Sequence, residues 1–300
     1  MRSEKEMLEL IVRTAQEDSR IRAAYLEGSR VCPSAVRDIF QDYDVVYIVG
    51  ETRSFREDRQ WIDRFGRRLY MQYPEDSVYE PSDVESCYGW LLQLADGNRL
   101  DLHVCTPSYA LPRLELYRVL VDKDQLLPAV ENRSEKRYWV CRPSQKQFDC
   151  TCNEFWWCLN NVAKGLWRGE LPYVMDMLDF NVRPQLRRLL EWKAGADNGF
   201  SVAVGKCGKY LSRYLPPALY SAYLGSYTAA EAGALWEAVL GMCGLFHTLA
   251  QELSQRLGLS YDCREAAASR SHLEHVRLLP PDAAEIYEDL PCSRSSEELI

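Results

Sequence analysis

Two carboxylates two residues apart, Asp42 and Asp44, stand where a loop gives way to the apolar run Val45-Val46-Tyr47-Ile48-Val49, and a glycine-serine pair, Gly28-Ser29, precedes them. Glycine lacks a Cβ and tolerates positive φ, so backbone at Gly28-Ser29 can approach a phosphate while the Ser hydroxyl and nearby N–H groups donate to the anion. Two acids at i and i+2 entering a strand share one face, with Cα atoms roughly 6 to 7 Å apart. That spacing suits Mg²⁺, which takes one or two carboxylates and fills its shell with water and substrate phosphate. Asp is depleted in strands, and like charges on the core-facing side cost free energy unless a cation neutralises them. A third acid, Asp101, lies in a second strand-like run, 98–104, and can complete the cluster. On alternation alone it is a solvated position, because Arg99, Asp101 and His103 alternate with Leu100, Leu102 and Val104 as in a half-exposed strand.

The elements that position these residues follow from periodicity. Met7, Leu10, Ile11 and Ala15 predict a helix over 3–18 with Ser3 as N-cap, and 21–27 reads as a strand ending at Gly28. Residues 30–40 form a loop, 44–49 the second strand, and 57–68 a helix with Trp61, Ile62 and Phe65 inward. The runs 86–95 and 98–105 flank Asp96-Gly97, a signal for a type I′ hairpin, and 117–121 is a further strand. Beyond the polar stretch 123–143 the pattern is helical. Phe148, Cys152, Phe155, Leu159, Val162 and Leu166 step at three and four, with Glu154, Trp157, Asn161, Lys164 and Arg168 opposite. Trp156 and Trp157 are adjacent, so a helix can bury only one of them fully. Pro184 splits or kinks a helical region over 173–193, and Leu235 to Leu257 gives a long final helix. The fold class expected is α+β: a mixed α/β domain over 1–143, a helical domain over 144–281 and a mobile tail over 282–300.

With these elements in place, the motifs Gly28-Ser29, Asp42-x-Asp44 and Asp101 resemble the signature of the nucleotidyltransferase superfamily related to DNA polymerase β. The runs Gly28-Ser29-Arg30, Phe40-Gln41-Asp42-Tyr43-Asp44, 96–102, Phe155-Trp156-Trp157 and 160–165 are similar to those of aminoglycoside 6-adenylyltransferases, the streptomycin-modifying enzymes, over about residues 1–260. The resemblance implies Mg²⁺-dependent transfer of AMP from ATP to a hydroxyl of streptomycin, at position 6, giving antibiotic resistance. Asp42, Asp44 and Asp101 become the catalytic and metal-binding carboxylates. Asp101 either accepts the proton of the attacking hydroxyl or orients that hydroxyl against the metal. Gly28, Ser29 and Arg30 would meet the nucleotide, with Lys164, Lys206 and Lys209 neutralising the leaving pyrophosphate. The stretch 204–210 has glycines that allow close approach to phosphate but lacks Walker A spacing. A guanidinium-bearing acceptor wants carboxylates and aromatic faces, for which Glu154, Trp157 and Asp176 are the candidates. His103 shares the Asp101 face, although a strand histidine is more often structural. The acceptor site is expected between the domains. Rival readings are a different aminoglycoside or small alcohol as acceptor, a protein acceptor, and a nucleotide-binding regulator without catalysis; three retained acids speak against the last.

Composition sets the boundaries of these readings. The 300 residues carry a formal net charge of -8, against a sequence-independent nucleic-acid binder, which needs a basic stripe. An acidic surface instead draws in polycations. No apolar run approaches bilayer length and the N-terminus lacks a signal-peptide core, so a cytoplasmic location without membrane contact is expected. Eleven cysteines, an odd number mostly within apolar segments, read as buried hydrophobes in a reducing compartment. Oligomeric state is not legible.

Overall fold

Ser3 opens the first helix, α1 (Glu4–Glu17), with both halves of a capping box: its hydroxyl accepts from the Glu6 N–H and the Glu6 carboxylate accepts from the Ser3 N–H. In this computed structural model residues 1–129 and 134–287 are described. The chain divides into two units, 1–137 and 138–300. Residues 138–143, placed in the first domain by their polarity, belong to the second unit because Val140 N donates to Val202 O and Arg142 Nη2 to Leu257 O. Of the tail expected over 282–300, residues 288–300 lie outside the described residues.

The first unit is built on one six-stranded sheet. Its strands are β1 (Ile21–Glu27), β2 (Tyr43–Val49), β3 (Arg68–Gln72), β4 (Cys87–Leu94), β5 (Arg99–Cys105) and β6 (Arg118–Asp122), in the order β3-β4-β5-β2-β1-β6. All neighbours are antiparallel except β2 and β5. One face packs under α1 through Met7 and Ile11, Tyr47 and the aromatic group of Phe55, Trp61, Phe65 and Trp90. Trp61 meets the rings of Tyr47, Phe55 and Phe65 edge-on, and the buried Tyr47 hydroxyl donates to Ile11 O. The other face is covered at one end by Ala110 and Tyr117, which pack on Tyr25, Val46, Ile48 and Cys105. Its other end carries Asp44 and Asp101.

Two sequence expectations change here. The helix expected over 57–68 is instead a short α2 (Arg53–Glu57), a 3₁₀ turn at 61–65 and strand β3; Gly66, with φ 120°, breaks any helix between them. Trp61, Ile62 and Phe65 are buried as expected: Ile62 and Phe65, three apart, share one side of the 3₁₀ turn, and Trp61 is enclosed by Tyr47, Phe55 and Trp90. The 94–98 hairpin is not type I′, since Gly97 is the only loop residue at positive φ (92°). Gly97 N donates to Leu94 O and Leu94 N to Asn98 O, the pattern of a type I turn closed by a left-handed glycine. A further short helix, α3 (Pro107–Ala110), follows β5.

The second unit is helical: α4 (Gln145–Arg168), α5 (Leu171–Met177), α6 (Arg183–Asp197), α7 (Pro217–Leu224), α8 (Ala232–Leu257) and α9 (Cys263–Leu278). The α4 stripe from Phe148 to Leu166 is buried throughout, and Phe155 stacks on Phe246 of α8 at 3.7 Å. Trp156 is buried while Trp157 is 66% exposed. Pro184 does not split the region: α5 passes into α6 through a π-helical turn at 178–182, with Arg183 N donating to Leu178 O, so the helical backbone runs through the proline as a π-bulge. Helix α8 is not the last, as α9 packs on α4 and α8 beyond it. Alone among the described helices, the 26-residue α8 is long and apolar enough to cross a membrane, contrary to the sequence expectation. Its Leu235, Val239, Met242, Phe246, Leu249 and Leu253 are buried in the core of this unit. The cysteines also divide differently: Cys87, Cys105, Cys152, Cys158 and Cys243 are buried, but Cys141, Cys150, Cys207 and Cys263 are exposed.

Candidate active site

Strands β2 and β5 run parallel and therefore begin at the same sheet end, where antiparallel β1 finishes. That topology sets three acids side by side, because Asp44 pairs with Asp101 across β2/β5 and with Glu27 across β1/β2. Asp42 precedes β2 on the same side. Carboxylate oxygens of Asp42, Asp44 and Asp101 lie within 4.8 Å of one another, and all three residues are half-buried. Burial pushes Asp44 up to about 7, helped by the charges of Asp42, Asp101 and Glu27, with Arg99 pulling the other way. Among the described residues none donates a hydrogen bond to the Asp44 carboxylate. A half-buried carboxylate without donors, beside two more acids, fits a divalent cation of the oxygen-loving kind.

Arg99 supplies the positive charge next to this cluster. Its guanidinium forks onto Asp101, Nε to Oδ1 at 2.9 Å and Nη2 to Oδ2 at 2.6 Å, and Nε lies 3.9 Å from Asp42 Oδ2. His103 follows Asp101 on the same face, and burial holds its imidazole below the ordinary value while Glu75 and Asp101 pull upward.

Gly28 has a closer purpose than approach to phosphate. It takes φ 69°, and a Cβ there would fall 1.9 Å from Asp44 Oδ2, so the glycine makes room for the carboxylate itself. Ser29 is half-buried, and Gln41 Nε2 donates to its carbonyl at 3.2 Å, tying the Gly-Ser turn to the residue before Asp42. Arg30, next in the chain, turns inward. Its side chain is buried, with Nε donating to Asp42 O at 2.9 Å, Nη2 to Gln41 O at 2.7 Å and Nη1 to Glu4 at 3.3 Å. The guanidinium lies 3.6 Å from the Tyr43 ring centroid. Arg30 therefore clamps the 41–43 backbone.

The remaining sequence candidates all lie in the second unit. On α4, Glu154 is half-buried and accepts from Cys158 Sγ, Trp157 is exposed, and Lys164 Nζ donates to Asn161 Oδ1 at 3.2 Å. Glu154, Trp157 and Lys164 therefore share the solvent side of one helix. Lys206 and Lys209 are exposed in a loop whose Gly205, Cys207 and Gly208 all take positive φ, and Lys209 lies 5.1 Å from the Tyr210 ring. Asp176 is exposed on α5.

Comparison with known proteins decides the family. The profile described as streptomycin adenylyltransferase matches residues 1–276. The chain belongs to this family. Curated relatives of the streptomycin adenylyltransferase kind include aminoglycoside 6-adenylyltransferases of Bacillus subtilis (strain 168), 34% identical over 87% of this chain and 93% of the relative, and of Campylobacter jejuni, 33% identical over 87% and 91%. One from Staphylococcus aureus is 30% identical over 85% and 92%. The crystal structure of an aminoglycoside 6-adenyltransferase from B. subtilis is similar with 30% identity, covering 93% of this chain and all of that one, at a TM-score of 0.47. By the family profile and these relatives' sequences, the protein is a nucleotidyltransferase enzyme.

For this streptomycin adenylyltransferase family member, sequence reasoning passed over Arg99 and Gln41, which touch or tie the acidic cluster. The signal for Arg99 was available, since i and i+2 in a strand share a face and place it beside Asp101. Gln41 acts through a loop, where spacing alone gives no direction.

Proposed function

We propose that the protein transfers AMP from ATP to an aminoglycoside hydroxyl, with position 6 of streptomycin as acceptor and Mg²⁺ as cofactor, a cytoplasmic modification that would confer resistance. The observation that carries this reading is the trio Asp42, Asp44 and Asp101, with oxygens within 4.8 Å of one another beside the Gly28-Ser29 turn, in a chain matching the family over 1–276. Asp42 and Asp44 would hold the cation, with Asp101 as a third ligand or as the base. Bound there, a divalent ion would act as a Lewis acid on the phosphoryl oxygens.

The chain's own residues supply position and charge. The acceptor oxygen bonds to the α-phosphorus, the bond from that phosphorus to the bridging oxygen breaks, and pyrophosphate leaves with the electron pair. Asp101 takes or orients the hydroxyl proton, and Arg99, forked onto it, fixes which oxygen faces the acceptor. The Ser29 hydroxyl is the proposed donor to the triphosphate. Lys164, Lys206 and Lys209 are the proposed cations for pyrophosphate, and Glu154, Trp157 and Asp176 the proposed acceptor contacts.

The finer claim is tested by NMR of the product formed from streptomycin and ATP. A phosphorus-coupled shift at the position-6 carbon supports it. Attachment elsewhere, or faster turnover of another aminoglycoside, would overturn the regiochemistry or the acceptor.

A further inference from the structure

Across the catalytic face the register sets one row of residues as Leu91, Asp101, Asp44 and Glu27, and the next as Gly89, His103, Val46 and Tyr25. The second row holds a polar group that the reaction described above does not use. Gly89 faces His103 directly, and a Cβ on Gly89 would meet the imidazole at 2.4 Å from Cδ2 and 2.6 Å from Nε2. The missing side chain lets the ring lie flat over the strand. Strand β3 pairs with β4 only as far as Gln72 opposite Leu91, which frees the Gly89 N–H on that side. Glu75, in a 3₁₀ turn at 74–76, takes that N–H with Oε2 at 2.8 Å and sets Oε1 3.7 Å from His103 Nε2. The neighbouring Asp76 accepts from the Tyr88 hydroxyl at 2.9 Å, so the turn is pinned to β4 at two points.

The Glu75–His103 separation is informative. At 3.7 Å the two are too far apart for a direct hydrogen bond, so Nε2 and Oε1 both stay available to a ligand. The side chains are 29% and 13% exposed, enough to be reached and enclosed enough for a hydrogen bond to matter. With Asp101 on the other side of His103, the face offers an imidazole between two carboxylates. That arrangement matches a molecule carrying hydroxyls next to cationic nitrogens.

We propose that Glu75 and His103 form an acceptor-positioning pair beside Asp101, His103 Nε2 hydrogen-bonding a hydroxyl neighbouring the reacting one and Glu75 Oε1 receiving a cationic nitrogen of the same molecule. This rests on the aminoglycoside reading above and adds two residues to it. The pair holds the reacting hydroxyl in register with Asp101 and leaves the nucleotide untouched.

The test uses the full chain and three variants, His103→Gln, Glu75→Gln and Glu75→Ala, with streptomycin as probe. Glu75→Gln keeps an oxygen for the Gly89 N–H and removes only the charge, so a merely structural Glu75 predicts unchanged kinetics for it. The pair requires the streptomycin KM, and its Kd by calorimetry, to rise about tenfold or more in His103→Gln and Glu75→Gln. KM for ATP and the thermal midpoint should stay at wild-type values. Glu75→Ala should show the same streptomycin defect together with a lower midpoint. Transfer with wild-type streptomycin KM in His103→Gln and Glu75→Gln would overturn the pair and leave the proposed reaction standing. A wild-type protein that neither binds nor modifies streptomycin would overturn the acceptor reading and the pair with it.

Discussion

Burial, reinforced by Asp42, Asp101 and Glu27, raises Asp44 to about 7 against the pull of Arg99, so the folded protein holds a proton there that the unfolded chain releases near pH 4. A raised carboxylate pKa means that stability falls as pH climbs from about 4 through about 7. Asp44→Asn should therefore melt at or above the wild-type temperature at pH 8 without divalent cations, while losing AMP transfer. Added Mg²⁺ should raise the wild-type midpoint and leave the variant where it is. A variant that melts well below wild type, or responds equally to Mg²⁺, would contradict the charge account. Gly28→Ala is the complementary test, because the new Cβ would collide with Asp44 Oδ2 at a residue with φ 69°. We expect a loss of about 1–3 kcal/mol in denaturant unfolding and near-complete loss of transfer; full activity would show that the carboxylate can sit elsewhere. The acid pair was legible in the sequence because Asp is costly in a strand. The use of Gly28 was not, since its constraint comes from a residue on another strand.

At the scale of elements, the loop between β1 and β2 is held from behind by Arg30, whose guanidinium serves the Asp42 and Gln41 carbonyls and stacks on Tyr43. Arg30→Ala should destabilise the protein by about 2 kcal/mol and lower kcat, as buried carbonyls lose a charged donor and Asp42 loses its support. A triphosphate contact would behave differently, raising KM for ATP at unchanged stability, and that outcome would overturn the clamp. Sequence reading found α4 through its buried stripe, β5 through its alternation, and β1 and β2 as short apolar runs buried at nearly every position. It missed β3, whose Leu69 and Tyr70 are exposed at the sheet edge and give no alternation against a core. It also missed α9, where Ala266, Leu273 and Val276 are the only buried positions, too few to stand out from a polar helix.

Over the whole molecule, a net charge of -8 acts at longer range than any single contact. Binding of a polycationic aminoglycoside should weaken as salt rises from 50 to 500 mM, by about tenfold, because screening shortens that reach. Calorimetry at several ionic strengths checks it, and an affinity independent of salt would assign recognition to enclosed contacts instead. Composition made this charge legible, and the motifs gave the chemistry to expect. Neither could give the parallel pairing of β2 with β5, which is what brings Asp101 beside Asp44, since strand neighbours far apart in sequence leave no local pattern. The central claim is that this carboxylate trio drives AMP transfer to an aminoglycoside. Its most direct test is mass spectrometry of streptomycin incubated with the protein, ATP and Mg²⁺, beside Asp44→Ala. The account requires a product heavier by one AMP that is absent with the variant; an unmodified antibiotic, or equal product from both proteins, would contradict it.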